Sequence, residues 1–277
     1  MRKTLVFLLL VTISFCGFGQ SLPKNYGRIK TKLFAGPNHD KMLVVAFGGS
    51  EGGNIFASDQ TKDLRTRFSQ LGFSFLSIGY FGEKGLPKRL DRISLTAIYD
   101  TIQIISRHLK INSNNILLIG ASRGAELALN LASRYDFMGV IALVAPSVSF
   151  PNIDNKGNTS SWTFDDKEAP YLQLPYDLIK QNGWFKTIET ELKNKEKVER
   201  SSIKVENING FIFLTSAKTD ELWPSVQMCN DIVTRLKVNN IKFNYEHISM
   251  DGGHQPSNHW DVAFKFIVDN IASRRSK

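Results

Sequence analysis

The chain has 277 residues, of which 42% are hydrophobic, 11% aromatic and 22% charged, and its formal net charge is +9. Its 19 Phe, 7 Tyr and 4 Trp carry enough apolar surface to offset chain entropy, which excludes intrinsic disorder, and two cysteines are too few for a disulfide scaffold. The basic residues are interspersed with acids, as from Glu191 to Arg200, and no nucleic-acid-binding motif occurs, so no nucleic-acid partner is expected and the charge favours anionic surfaces or substrates.

The segment Met1 to Gln20 reads as a secretory signal: Arg2 and Lys3 start it, Leu5 to Phe15 form its apolar run, and cleavage is expected after Gly19. The run is shorter than the ~20 residues a membrane-spanning helix needs, so no stable membrane insertion is expected after cleavage. Acylation of Cys16 would want a small residue before it, where Phe15 stands. Residues 20–277 then form one exported domain, periplasmic or extracellular, whose single cysteine, Cys229, leaves the fold to be held by its core.

Along the chain, short apolar runs alternate with segments of helical period. A strand pair is expected before Lys41. Strands are expected at Leu43 to Phe47, Ser74 to Ile78, Ile116 to Ile119, Val140 to Val144, Phe211 to Thr215 and about Phe243 to Ile248. Most are apolar on both faces, which suits strands covered by helices on each side. Helices are expected over Thr61 to Leu71, Leu95 to Leu109, Arg123 to Arg134, Ser225 to Lys237 and His259 to Ala272, where apolar residues recur every three or four positions. This alternation predicts an α/β fold with a mostly parallel central sheet.

About sixty residues, from Pro146 to Asn209, interrupt that rhythm. A stretch of this length inside a compact domain is expected to carry structure or function of its own, and Trp162, Tyr171, Tyr176 and Trp184 suggest a packed, substrate-facing lid.

The chemistry is concentrated at strand ends. Gly120-Ala-Ser-Arg-Gly124 follows the Ile116 strand and precedes a helix, the strand-turn-helix setting in which G-x-S-x-G lifts a serine clear of the sheet. Ser122 is therefore the expected nucleophile. The backbone N–H of Arg123, at a helix start, is the expected oxyanion donor, and a second is expected from the backbone of Ser50 or Glu51 in Phe47-Gly-Gly-Ser-Glu-Gly-Gly53. That glycine-rich loop lacks the Lys-Ser/Thr ending of a nucleotide-binding P-loop.

An acid and a histidine should follow in that order. Asp220 stands beyond the Phe211 strand with Glu221 as its near alternative, and His254 lies in Met250-Asp-Gly-Gly-His-Gln-Pro256, with Asp251 a second choice of acid. The other histidines fall too early in chain order (His39, His108), within a strand (His247) or at a helix start (His259). Neither metal nor cofactor is expected, since paired ligand spacing is lacking and one mature cysteine cannot build a zinc-thiolate site. Glu126, four residues after Ser122, is either a brace for the catalytic loops or an exposed helix residue.

At these residues the chain resembles the C-terminal catalytic domain of the acyl-CoA thioester hydrolase and bile acid-CoA:amino acid N-acyltransferase family, from about Leu43 to Ile271. The resemblance is carried by the Gly48 to Gly53 loop, Tyr80 to Pro87, Gly120 to Glu126, Lys218 to Ser225 and Gly253-His254. It implies an α/β-hydrolase fold, with Ser122, Asp220 and His254 as nucleophile, acid and base acting on an activated acyl carbonyl. Animal members carry an N-terminal β-sandwich for which the residues before Lys41 leave no room, and an export signal would separate this chain from acyl-CoA, a cytoplasmic metabolite. Members that transfer acyl groups to amino acids use cysteine where this chain has Ser122, which tilts the expectation towards hydrolysis. The expected activity is therefore that of an exported serine hydrolase cleaving a small-molecule ester or acyl thioester. Acyl transfer or peptide hydrolysis on the same triad, or a non-catalytic binding role, are the alternatives.

Overall fold

The computed structural model describes residues 21–36, 42–152, 159–255 and 258–275. The expected signal segment and His39 lie outside these residues.

Among the described residues, ten strands and seven α-helices follow in chain order: β1 (Lys30–Phe34), β2 (Met42–Phe47), α1 (Lys62–Gln70), β3 (Phe73–Gly79), β4 (Ile93–Ser94), α2 (Leu95–His108), β5 (Ile116–Ala121), α3 (Arg123–Ala132), β6 (Gly139–Leu143), β7 (Trp162–Phe164), β8 (Lys167–Glu168), α4 (Tyr176–Glu191), α5 (Lys195–Ser201), β9 (Phe211–Ala217), α6 (Ser225–Val238), β10 (Tyr245–Met250) and α7 (His259–Arg275). Seven strands form one sheet in the order β1-β3-β2-β5-β6-β9-β10. All its neighbours run parallel except β1, which pairs antiparallel with β3. The α/β expectation holds, with one correction at the start: before Lys41 the described residues form a single strand rather than a pair. Its partner is β3, reached across more than forty residues through the register Lys30 to Gly79. Lys30 and Lys32 mark this strand as a charged sheet edge that resists further pairing.

The doubly apolar strands divide their side chains between two cores, because successive residues of a strand point to opposite faces. Leu43, Val45 and Phe47 of β2 join Ile98 and Ile102 of α2, Leu127 and Leu131 of α3, and Ile232 and Leu236 of α6. Val44 and Ala46, on the other face, meet Phe68 of α1 and Phe264, Phe266 and Ile267 of α7. Each fully buried Leu or Phe in these layers contributes about 1.5–3 kcal/mol of transfer free energy, so register is strongly specified. A slip by one residue would exchange the two sets.

The strand order reverses at β2, because the chain goes to β3 on one side and returns through β5 on the other. The loops leaving the carboxyl ends of β2 and β5 therefore diverge and open a crevice, the place where sheets of this kind hold ligands.

The segment expected to be a lid builds β7, β8, α4 and α5. A second, three-stranded sheet orders β4-β7-β8 and ties the segment to the main body. Val148, Phe150, Leu172, Leu174, Ile188 and Leu192 pack with Trp223 and Met228 into a third apolar cluster. One aromatic departs from expectation: Trp162 is fully buried in the main core and not turned to a substrate. In α4, Gly183 has φ +79° and breaks the helix into two shorter pieces.

Candidate active site

Ser122 sits between β5 and α3 with φ 56° and ψ −123°, in the left-handed half of backbone space where a non-glycine residue costs about 1–3 kcal/mol. Two backbone bonds hold it there: its N–H donates to Leu143 O at 2.9 Å, and Glu126 N–H donates to its carbonyl at 3.1 Å. The flanking glycines are required by close approach. A Cβ on Gly120 would overlap the Gly124 carbonyl, and one on Gly124 would overlap that of Phe47.

His254 and Asp220 reach this serine from the ends of β10 and β9. The imidazole Nε2 lies 2.8 Å from Ser122 Oγ, and Nδ1 lies 2.9 Å from Asp220 Oδ1. Because a carboxylate accepts at Nδ1, that nitrogen carries the proton and Nε2 is left to accept from the serine hydroxyl. Asp220 Oδ1 also accepts the N–H groups of Leu222 (2.9 Å) and Trp223 (3.2 Å). Burial works against charge on Asp220, but the His254 bond and charge, Ser225 and the Leu222 N–H outweigh it and hold the carboxyl below its usual range. The Trp223 ring meets His254 edge-on at 4.5 Å and closes one side of the imidazole.

The two other acids near the histidine take different work. Glu221 Oε2 accepts the backbone N–H of His254 at 2.9 Å, so the adjacent carboxylates divide between ring and main chain. Asp251 projects outward to pair with Lys218 at 2.8 Å. His259 Nδ1 shares a hydrogen bond with Thr215 and His247 Nε2 one with Ser216, and burial lowers the pKa of both rings. Cys229 is a buried free thiol whose pKa burial raises far above the ordinary value. Among the described residues no group of three or more His, Cys, Asp or Glu is placed to hold a metal.

Arg123 opens α3, and as first residue of a helix its N–H has no carbonyl one turn back to bond. From the glycine-rich loop the structure places Gly49 against the nucleophile: a Cβ there would lie 3.5 Å from Ser122 Cβ. The Gly49 N–H donates to Glu51 Oε1 at 2.8 Å, which ties the turn of this loop together. Ser50 and Glu51 are both exposed. The glycine content of the loop was a signal for Gly49, where a Cβ would meet Glu51 Oε2 at 2.9 Å and crowd Ala121 O at 3.3 Å.

Glu126 is a brace. It is completely buried, 2.8 Å from the Arg123 guanidinium, and its Oε1 accepts both Phe150 N–H (2.9 Å) and Trp162 Nε1–H (2.5 Å). Arg123 in turn donates to Pro151 O at 3.0 Å and to Ser161 Oγ. Burial pushes the Glu126 carboxyl up, against the pull of Arg123, the Phe150 N–H and Trp162. One buried ion pair thus joins the nucleophile's helix to both ends of the segment Phe150 to Trp162.

A mostly parallel sheet with a serine on the strand-to-helix turn, an acid after β9 and a histidine after β10 defines an α/β-hydrolase fold. The description "BAAT / Acyl-CoA thioester hydrolase C terminal" belongs to the family whose sequence model matches residues 94–256, and the chain is a member of that family. The match takes in Ser122, Asp220 and His254 and begins after the Gly48 to Gly53 loop. The chain is 25% identical over 223 residues to acyl-coenzyme A thioesterase 2, mitochondrial, of Mus musculus, covering 78% of this chain and 45% of that protein. With acyl-coenzyme A thioesterase 1 of Homo sapiens it shares 24% identity over 223 residues, 78% of this chain and 49% of the other. It therefore spans about half the length of these relatives. Among solved structures, esterase PE8 superposes with a TM-score of 0.56 at 14% identity, covering 87% of this chain and 99% of that one. A Bacillus cereus carboxylesterase gives 0.53 at 14% identity, with 87% and 94% covered. At such identities these two speak for the fold alone.

Proposed function

We propose that the protein is an exported serine hydrolase that cleaves a small-molecule ester or acyl thioester through an acyl-Ser122 intermediate. The observation that carries this reading is the unbroken hydrogen-bond chain from Ser122 Oγ through His254 to Asp220. Family membership and the thioesterases among its relatives support the bond type. The apolar segment Leu5 to Phe15 behind Arg2 and Lys3 supports export.

In the acylation step His254 Nε2 takes the hydroxyl proton as Ser122 Oγ attacks the carbonyl carbon. The oxyanion is held by Arg123 N–H, at the positive end of α3, and by an N–H of Ser50 or Glu51. The tetrahedral adduct collapses as His254 returns the proton to the departing alcohol or thiol. Water then gives a proton to His254 as it attacks the acyl-serine carbonyl, and on collapse of this second adduct His254 returns the proton to Ser122 Oγ and the carboxylic acid departs. Asp220 holds the tautomer throughout.

The test is turnover of a short p-nitrophenyl ester and of an acyl-CoA with the same acyl chain by the mature protein. Ser122→Ala is expected to lower both rates by at least about ten-thousand-fold, and the ratio of the wild-type rates ranks ester against thioester. Equal rates in mutant and wild type would overturn the assignment.

A further inference from the structure

The segment Tyr80 to Pro87 carries part of the family resemblance read from the sequence but supplies none of the three reacting side chains. It leaves the carboxyl end of β3 beside the glycine-rich loop that leaves β2, since the two strands are parallel neighbours with Phe47 opposite Ile78. These loops are in close contact: Gly53 N–H donates to Phe81 O at 2.8 Å, and a Cβ on Gly52 would lie 3.2 Å from Gly82 Cα. On its other side β2 pairs with β5, where Phe47 stands opposite Gly120, so Gly48 and Gly49 leave the sheet alongside Ala121 and Ser122.

The peptide unit between Gly48 and Gly49 is held at both ends. Its carbonyl, Gly48 O, accepts the Tyr80 hydroxyl at 2.5 Å, and its N–H, on Gly49, donates to Glu51 Oε1 at 2.8 Å. Because a peptide unit is planar, fixing its C=O and its N–H fixes the plane and the direction in which the chain continues to Ser50. Tyr80 must be the donor, since a carbonyl only accepts, and burial raises its pKa so that the phenol keeps its proton at neutral pH. Tyr80 is 1% exposed, and its ring is walled by Phe81 and Trp162, whose ring centroids lie 5.2 and 6.0 Å away. That enclosure fixes where the hydroxyl points. Without it Gly48 O would be a buried acceptor with no donor, a cost that rotation of the peptide would relieve.

We infer that Tyr80 is a positioning residue of the oxyanion site: with Glu51 it clamps the peptide between Gly48 and Gly49, so that the N–H that follows, of Ser50 or Glu51, meets the developing oxyanion. The inference rests on the acyl-serine reading and adds the group that orients its second donor.

The test is Tyr80→Phe, which keeps the packing of the ring and removes the hydroxyl. A group that positions an oxyanion donor acts on the transition state and not on substrate binding. With a short p-nitrophenyl ester, kcat is therefore expected to fall about ten- to a hundredfold while KM changes by less than about twofold. A trifluoromethyl ketone with the same acyl chain gives a second readout: Ser122 Oγ bonds to its carbonyl carbon, His254 takes the hydroxyl proton, and the carbonyl oxygen becomes an oxyanion. Its inhibition constant is expected to rise by the factor by which kcat falls, and that of the methyl ketone isostere to stay within about twofold. An unchanged kcat, a fall in kcat without a matching loss of trifluoromethyl ketone affinity, or an equal loss for both ketones would overturn the inference and leave the acyl-serine reading intact. Glu51→Ala opens the other end of the clamp at an exposed residue, and so reads the same contrast should Tyr80→Phe not fold. Wild-type kcat and wild-type trifluoromethyl ketone affinity in Glu51→Ala would also overturn the inference. Turnover that survives Ser122→Ala would instead overturn the acyl-serine reading.

Discussion

The two sides of the candidate site are built in opposite ways. On the nucleophile's side every support is internal: Gly120 and Gly124 admit neighbouring carbonyls at close range, and Arg123, Glu126 and Trp162 are buried together beneath the Phe150 segment. On the base's side the supports lie near the surface. The His254 loop is tied down by Lys218 N–H to Met250 O (2.9 Å), Thr219 N–H to Gly252 O (3.0 Å), the Glu221 carboxylate and the exposed pair of Lys218 with Asp251. A serine held in a strained turn needs surroundings that cannot relax, whereas a histidine that must hold and pass a proton needs only its ring direction set.

The largest effect that separates the sides belongs to Asp220. Asp220→Asn keeps the shape but removes the acceptor that fixes the His254 tautomer, and kcat is expected to fall about ten-thousand-fold. The same residue acts on stability. Its folded pKa lies below the unfolded value, so its contribution is present above about pH 4 and is lost as pH falls through the folded value. Acid unfolding of Asp220→Asn should consequently show a shallower low-pH limb than wild type, and an unchanged limb would remove Asp220 from that role.

Breaking the buried pair comes next and should read mainly in stability. Glu126→Gln or Arg123→Met alone leaves one buried charge unanswered and is expected to cost about 3–5 kcal/mol in urea unfolding. The double mutant should cost clearly less than the sum of the singles, and additive losses would show that the two charges do not act as a pair. Smallest is Glu221→Ala, which takes an exposed carboxylate away from the backbone N–H of His254. A loss of up to about tenfold in kcat/KM, with unfolding shifted by less than about 1 kcal/mol, is expected. A larger stability loss there would show that the base's side is as rigidly built as the nucleophile's.

These contrasts explain what could be read from the sequence. The six expected strands and five expected helices recur within a few residues of their expected ends, because apolar runs and three- and four-residue spacing record burial directly. Ser122, Asp220 and His254 were legible because loop chemistry at strand ends is local. Glu126 was not, since an Arg and a Glu three residues apart look the same on a solvated helix as in a core. The groups that bury this pair, Phe150, Pro151, Ser161 and Trp162, lie 24 or more residues further along the chain. The β4-β7-β8 sheet escaped for another reason, its strands being two or three residues long and too short to show alternation.

One feature of the sheet order also sets when the protein would cease to work. His254 hangs from β10, which among the described residues is an edge strand paired with β9, while Ser122 hangs from β5 at the centre of the sheet. Edge strands open in local fluctuations that leave central strands closed, so their amides exchange with solvent sooner. Fraying of β10 would carry the base out of register with an otherwise intact nucleophile, and activity would decline at milder denaturant than fluorescence from the buried core.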